Sequence, residues 1–176
     1  MAVIEQAVGT INFEVYLTGT SRKLGLATIE LPNLERETID MKGNGIGGTV
    51  TMPVRGNMSA SEVKLTWRSI TPWASDFFPH KTVQLSLYSA QQTYDGGTGE
   101  IKVPQHRIEI SGVPKATNLG KFEPSATMDA ETTIEVTTLY YYVDGVEKIG
   151  WEPFNYILRV SGEDEGEEVR GALGWL

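Results

Sequence analysis

The sequence of 176 residues contains no cysteine, which excludes disulfide bonds, thiol catalysis and thiolate metal ligands. It has only two histidines, His80 and His106, and neither stands beside a second ligand at metal-binding spacing. We therefore interpret both as structural or solvent-facing. The G-x-S-x-G and G-x-x-x-x-G-K-[ST] motifs are also absent. We expect no catalysis, no metal and no cofactor.

Apolar runs of membrane-spanning length and a basic segment followed by an apolar region at the N-terminus are both missing. We thus expect neither a signal peptide nor a membrane anchor. Basic residues are few, with 15 Lys and Arg against 23 Asp and Glu and a net charge of −8. This balance disfavours a surface that grips nucleic acid, but it is compatible with DNA that must pass without sticking.

What the chain does have is alternation of apolar and polar residues with a period of two, which predicts a mainly β fold. In TINFEVYL the side chains of Ile11, Phe13, Val15 and Leu17 share one face. The length favours one domain over residues 1–176. Further strands are predicted in GLATIEL, NLERETIDM, EVKLTWRSI, TVQLSLYSA, EIKVPQHRIEI, TTIEVTTLYYYV and FNYILRVSG.

Turn and helix signals punctuate these strands. Asp95-Gly96-Gly97 and Asp144-Gly145 predict hairpins, because glycine supplies a positive φ. TPWASDFF predicts a short helix with Thr71 as its N-cap and Pro72 at its first position.

The C-terminal tail, residues 162–176, is acidic and ends in apolar residues. Its five carboxylates would sit favourably at a helix N-terminus, although two glycines weaken such a helix. A solvated tail has little reason to end in Trp175 and Leu176, so we expect it to dock on its own domain or on a neighbour.

The run Tyr140-Tyr141-Tyr142 places aromatic rings on both faces of one strand, since Tyr141 must face opposite to the other two. The second face then calls for a partner, as an assembly would provide. An alternative stays open, in which Trp67, Trp73 or the tyrosines form a sugar-stacking platform on a monomeric β-sandwich carbohydrate-binding module.

The segment Gly43-Asn44-Gly45-Ile46-Gly47-Gly48 matches the dinucleotide-binding pattern G-x-G-x-x-G. Its context does not fit, because a charged alternating stretch precedes it, and β-branched residues and Pro53 follow it. We interpret residues 41–58 as an extended glycine-rich loop. Ordering such a loop costs much entropy, so a partner that orders it is expected.

The order and spacing of several diffuse features are familiar. They are a Leu-Pro-x-Leu strand end, a glycine-rich loop, a strand with a Trp, an Asp-Gly turn and a late polar turn. By these features the chain resembles the major tail tube protein of contractile-tailed bacteriophages, a family also found in R-type bacteriocins. The C-terminal tail departs from the resemblance, since related tails are more basic and helix-forming. The matching positions are Leu31-Pro32-Asn33-Leu34, Gly43 to Gly48, Leu65-Thr66-Trp67, Asp144-Gly145 and Ser161-Gly162-Glu163-Asp164.

The resemblance implies a structural subunit with an antiparallel β-sandwich or split β-barrel fold and one short flanking helix. Subunits of that family close into hexameric rings lined by a continuous β-barrel. The rings stack into a hollow tube inside a contractile sheath, and the tube penetrates the target envelope and conducts DNA in a phage.

The resemblance also implies partners and places. The partners are further copies of the chain, the sheath protein, and the baseplate or tube initiator, tape measure and terminator proteins. The expected location of the protein is the virion tail, which is assembled in the host bacterial cytoplasm. The loop Gly43 to Gly48 reaches a neighbouring subunit or ring, and Glu14, Glu62 and Glu135 are candidates to face the lumen and repel phosphate.

Overall fold

The computed structural model describes residues 5–20, 22–69, 72–79 and 81–175. The described part is built from strands, with 3-10 turns at Pro72–Phe77 and Pro153–Asn155 and a short α-helix, α1, at Glu167–Ala172. The strands are β1 (Glu5–Leu17), β2 (Lys23–Leu24), β3 (Leu26–Glu30), β4 (Arg36–Met41), β5 (Val50–Met58), β6 (Glu62–Trp67), β7 (Val83–Asp95), β8 (Ile101–Lys102), β9 (Gln105–Asn118), β10 (Ala130–Val143), β11 (Val146–Glu152), β12 (Ile157–Val160) and β13 (Glu163–Asp164).

A large antiparallel sheet, in the order β13-β12-β11-β10-β9-β7-β1-β2, organises the molecule. The sheet branches at β10, whose first half pairs with β6 and whose second half pairs with β11. β6 also pairs with β3, and β8 pairs with β7. This confirms the predicted mainly β, antiparallel fold with one short helix. Within the described residues the sheet does not close on itself, so closure into a ring stays a prediction.

The apolar core lies between the β3–β6 branch and the main sheet. At its centre Trp67 is 1% exposed, packs edge-on against Phe77 and donates its indole N–H to Thr132 Oγ1 at 3.0 Å. The most deeply buried apolar side chains besides these are Val15, Val63, Leu65, Leu85, Ile110 and Ile134.

Strand β10 shows how the sequence pattern produces this core. Its even-numbered residues from Ala130 to Val136 are buried, as a period of two requires. A bulge between Val136 and Thr138 shifts the register, after which odd-numbered residues face the core. Tyr141 therefore packs on the core while Tyr140 and Tyr142 face the other side, as predicted.

Both hairpins are confirmed. β7 and β8 meet at Asp95, whose carboxylate accepts hydrogen bonds from the backbone N–H of Gly97 at 2.8 Å and of Thr98 at 3.3 Å. β10 and β11 meet at Asp144 and Gly145, with φ of 48° and 80°. Two successive positive φ angles are what a type I′ turn needs.

Other details differ from the sequence prediction. Ile11 does not share the buried face of Phe13 and Val15, because a bulge between Thr10 and Asn12 leaves it exposed. EIKVPQHRIEI is not one strand, since β8 ends before Val103 and Pro104 and β9 begins after them.

The helices also differ. The predicted TPWASDFF helix is a 3-10 turn, and its predicted cap, Thr71, lies outside the described residues. In the tail, Glu163 and Asp164 form β13, so only Glu167 and Glu168 lie in the first turn of α1. Among the described residues, no helix has both the length and the apolarity needed to cross a membrane.

Candidate assembly surface

Strands β4 and β5 form a separate two-stranded sheet, which we call the arm (Arg36–Met58). Its tip, residues 42–49, contains Gly43 to Gly48. The expected extended segment 41–58 is thus divided into a tip loop and strand β5. A Cβ added at Gly43, Gly45, Gly47 or Gly48 would meet no atom of the described residues within 4 Å, so the tip projects away from the described part of the chain.

One face of the arm carries an apolar stripe, formed by Ile39, Met41, Val50 and Met52. Ile39 lies opposite Met52 and Met41 lies opposite Val50, so the four side chains are cross-strand neighbours. They are between 43% and 60% exposed. On the other face, Thr51 donates a hydrogen bond to Asp40 at 2.7 Å. A two-stranded hairpin is at best marginally stable by itself in water, so it gains stability from packing on a partner. A group of exposed apolar side chains on such a hairpin is therefore typical of an interaction site.

The C-terminal tail docks on its own domain. Trp175 packs edge-on against Tyr156, with ring centroids 5.3 Å apart. Arg170 donates to Asp164 Oδ2 at 2.7 Å and to the carbonyl oxygen of Tyr156 at 2.8 Å. Leu176, the other predicted contact, lies outside the described residues.

Two carboxylates of this tail have lowered pKa values. Hydrogen bonding to Arg170, helped by the backbone N–H of Gly166, lowers the pKa of Asp164 below its ordinary 3.8. Hydrogen bonding to Arg36 lowers the pKa of Glu165 below its ordinary 4.5. Both carboxylates bind protons more weakly in the folded chain than in the unfolded chain. Their stabilisation is therefore fully present above the ordinary pKa and is lost as the pH falls through the folded pKa.

This linkage predicts that part of the loss of stability at low pH comes from protonation of the tail carboxylates. Between about pH 5 and about pH 3, the melting temperature of Asp164→Asn should fall less than that of the wild type, because the variant has no carboxylate to protonate at this site. Thermal unfolding followed by circular dichroism measures the difference. The control is Glu163→Gln, which removes an exposed neighbouring carboxylate. Its melting temperature should fall between these pH values as much as that of the wild type. Equal falls in all three chains would contradict the assignment.

The three acids predicted to face the lumen point away from the core and have cationic partners. Glu14 forms a short contact with Lys23 and accepts a hydrogen bond from Tyr16. Glu62 and Glu135 lie opposite each other on β6 and β10 and share Lys115, at 3.3 Å and 3.1 Å. The structure thus brings Glu62 and Glu135 together and leaves Glu14 in a separate cluster. Each carboxylate is partly neutralised within the subunit, which weakens its repulsion of a polyanion.

The face of the main sheet opposite the core carries a row of rings and guanidinium groups. Tyr140 and Tyr142 stack with centroids 6.3 Å apart, and the guanidinium of Arg107 lies 4.3 Å from the centre of the Tyr142 ring. Arg159 lies 5.8 Å from the Tyr140 ring and donates to Glu147 at 2.8 Å. The second aromatic face of β10 is therefore covered in part by arginine side chains.

A mainly apolar groove of about 490 Å³ opens between the end of β3 and the main sheet. Phe13, Leu31, Leu34 and Ile108 contribute to its walls. At its side, the ring of His106 stacks on Tyr141 and shares a hydrogen bond with its hydroxyl at 2.6 Å, which is a structural use of this histidine. His80 lies outside the described residues.

The other chemistry considered from the sequence finds little support in the geometry. Trp67 is buried and cannot offer a ring to a sugar, and Tyr141 packs on the core. The side chain of Trp73 lies outside the described part of the chain. In that part, no group of three or more His, Asp or Glu side chains is placed to hold a metal ion.

The apolar stripe and the contacts at the base of the arm were missed by sequence reasoning. The stripe had a readable signal, since Ile39 and Met41 alternate before the glycines while Val50 and Met52 alternate after them. The pairing of Arg36 with Glu165 joins residues 129 positions apart and has no local signal.

Comparisons with known proteins agree with this architecture. The family model described as "Phage tail tube protein FII" matches residues 10–174. No curated protein sequence matches the chain.

Two solved structures are similar to this chain, and the first of them has a similar fold. One is a chain of the "Extracellular Contractile Injection System, PVC sheath-tube complex in extended state", with a TM-score of 0.51 and 14% identity over 74% of this chain and 87% of that one. The other is a chain of the "PVC sheath/tube terminator in extended state", with a TM-score of 0.49 and 15% identity over 75% of this chain and 94% of that one.

Proposed function

The chain belongs to the phage tail tube protein FII family, and on this premise we propose that it builds the inner tube of a contractile tail or phage-tail-like particle. Copies close into hexameric rings, which stack into a hollow tube. The tube penetrates the target envelope and, in a phage, conducts DNA. The observation that carries the proposal is the arm, because it presents an apolar stripe and a glycine-rich tip that nothing described in the chain covers.

Further copies of the chain are the first partner. Strand β1 supports ring closure, because β2 pairs with it only at Val15 and Tyr16, and residues 6–14 have no other described strand on that edge. An open edge of this length can accept a strand from a neighbour. The arm supports stacking, since an extended strand advances about 3.3 Å per residue and can cross from one ring to the next.

The remaining partners follow from the same role. They are the sheath protein around the tube, the baseplate or tube initiator below it, the tape measure protein inside it and the terminator above it. The solved chain with the higher TM-score comes from a sheath–tube complex, which supports the sheath as a partner. The site of action is the virion tail, after assembly in the host cytoplasm.

The proposed role needs no catalysis and no cofactor. The lumen requires a surface that does not bind phosphate, and Glu14, Glu62 and Glu135 remain candidates for it. Lysines partly neutralise these three acids. The repulsion of phosphate is therefore attributed to the net charge of −8 more than to any one of the three carboxylates.

Electron microscopy of the concentrated, negatively stained protein tests the proposal. We expect hollow tubes or stacked rings of uniform width. Isolated small particles at every concentration, including after addition of preformed tube ends as nuclei, would contradict it. In that event a screen for glycan binding would follow, to test the carbohydrate-binding alternative.

Deleting Gly43 to Gly48 tests the proposed use of the tip. Lys42 and Thr49 would then form a two-residue turn between Met41 and Val50, which already pair. We expect a folded monomer that does not stack, because its tip no longer reaches a partner. Sedimentation velocity and electron microscopy measure assembly, and circular dichroism measures folding.

The control for this deletion is Gly43→Ala, since an added Cβ there meets open space. This variant should assemble as the wild type does. A deletion variant that still builds tubes would show that the glycine tip is dispensable.

A further inference from the structure

The base of the arm is tied to the C-terminal tail through both of its strands. Arg36, the first residue of β4, donates two hydrogen bonds to the two carboxylate oxygens of Glu165, at 2.6 Å and 2.7 Å. Arg55 of β5 donates to Glu168 at 2.6 Å. The first pair has the fork geometry that fixes orientation as well as distance. The second pair is mostly exposed and is expected to contribute little alone.

The backbones also meet at this base. A Cβ added at Gly56 of β5 would lie 3.9 Å from both Gly166 Cα and Val169 Cγ2, so β5 passes directly against the turn before α1. At Gly166 a Cβ would lie 1.8 Å from the carbonyl oxygen of Tyr156, which leaves no room for any side chain. The turn is therefore held between Tyr156 and the arm.

The tail is itself held firmly where it meets the arm. The backbone N–H of Glu165 donates to the carbonyl oxygen of Leu158 on β12 at 2.8 Å. Asp164 accepts hydrogen bonds from the backbone N–H of Gly166 and from Arg170, at 2.9 Å and 2.7 Å. The carboxylate of Glu165 thus has a defined position before it binds Arg36.

The outer part of the arm receives no comparable support from the described residues. All residues from 37 to 53 are exposed except Ile46, which is half-buried, and among the described strands β4 and β5 pair only with each other. A strand of six residues extends about 20 Å, so a rotation of about 15° at the base would move the tip by about 5 Å. The orientation at the base therefore decides where the apolar stripe points.

We propose that the acidic C-terminal tail sets the orientation of the arm, with Glu165 and Arg36 as the positioning pair. The inference rests on the proposed function, because it concerns the direction in which the arm is presented to another copy. It assigns a role to the cluster of acidic residues in the C-terminal tail of this chain. Leu34 and Met58 pack the arm base on the core independently, so loss of the pair should leave the fold intact.

The absence of cysteine allows a direct measurement of the orientation. Spin labels on Thr51→Cys in the arm and Gln84→Cys in β7 give the distance distribution between arm and body by pulsed electron paramagnetic resonance on the monomer. We expect one narrow distribution in this background. With Glu165→Gln it should become at least twice as wide, because a neutral amide cannot hold the guanidinium fork.

Three further variants separate positioning from general stability. Glu163→Gln removes one charge nearby and should keep the narrow distribution. Arg36→Lys keeps the charge without the fork and should broaden the distribution. The exchange Arg36→Glu with Glu165→Arg restores the pair and should narrow it again. A merely structural role would lower the melting temperature and leave the distribution unchanged.

Assembly provides the second readout. Two results together support the inference. Glu165→Gln broadens the distance distribution, and this variant needs a protein concentration about tenfold higher than the wild type to form tubes. An unchanged distribution overturns it, and so does broadening without any effect on assembly. A wild-type chain that never forms tubes would instead overturn the proposed function, while the distance measurement on the monomer still decides whether the tail orients the arm.

Discussion

The substitution Ile39→Asp is expected to abolish tube formation at concentrations where the wild type assembles, while the monomer stays folded. Ile39 lies in the centre of the exposed arm, in the apolar stripe opposite Met52. Burying one isoleucine contributes about 1.5–3 kcal/mol, and an unpaired carboxylate in an apolar contact costs further free energy. A loss of about 3 kcal/mol raises the concentration required for assembly more than about 100-fold.

The matched control is Thr38→Asp, which adds the same charge one residue away on the opposite face of β4. It should assemble within a few-fold of the wild type. Light scattering across a concentration series measures both variants, and circular dichroism shows that both are folded. Equal losses would mean that added charge, and not the apolar face, explains the effect.

Replacing Trp67 by alanine is expected to cause the largest loss of stability in the described core. Its side chain is almost fully buried, packs against Phe77 and donates to Thr132. A buried Trp→Ala change costs about 3–5 kcal/mol, and here it also removes the hydrogen-bond donor of a buried hydroxyl. Urea unfolding of the monomer measures the free energy.

Two comparisons sharpen this test. Trp67→Phe should cost less, because it keeps most of the volume and leaves only the Thr132 hydroxyl without its indole donor. Trp175→Ala, at the half-exposed C-terminal tryptophan, should cost about 1 kcal/mol, mainly its edge contact with Tyr156. If Trp67→Ala cost no more than Trp175→Ala, the account of the core would be wrong.

The strands and hairpins of the main sheet could be predicted because their signals are local. The run TTIEVTTLYYYV alternates, and the opposite facing of Tyr141 relative to Tyr140 and Tyr142 follows from the geometry of a strand. Asp144-Gly145 likewise fixes a turn within a few residues.

Bulges and long-range pairs escaped prediction. The bulge between Thr10 and Asn12 moves Ile11 off the buried face. The alternation of apolar and polar residues in this stretch does not predict such a bulge. The branching of the sheet at β10 arises because β6 and β11 divide one edge of β10 between them, while β9 pairs along the other edge. The Arg36–Glu165 pair depends on the whole fold, since it joins β4 to the turn after β13.

The glycine-rich segment shows how a short motif depends on its context. Its pattern fits a dinucleotide-binding turn, but the flanking residues favour strands. The structure places it at the tip of a two-stranded arm, with open space around the glycines. No helix N-terminus follows it to bind a pyrophosphate, since β5 comes directly after the tip.

A helical reconstruction of the assembled tube by electron cryomicroscopy tests the central claim most directly, namely that the arm carries assembly. We predict that the apolar stripe of each arm lies buried against another copy of the chain and that the tip, residues 42–49, is ordered in this contact. Tubes in which Ile39, Met41, Val50 and Met52 face solvent would contradict the claim.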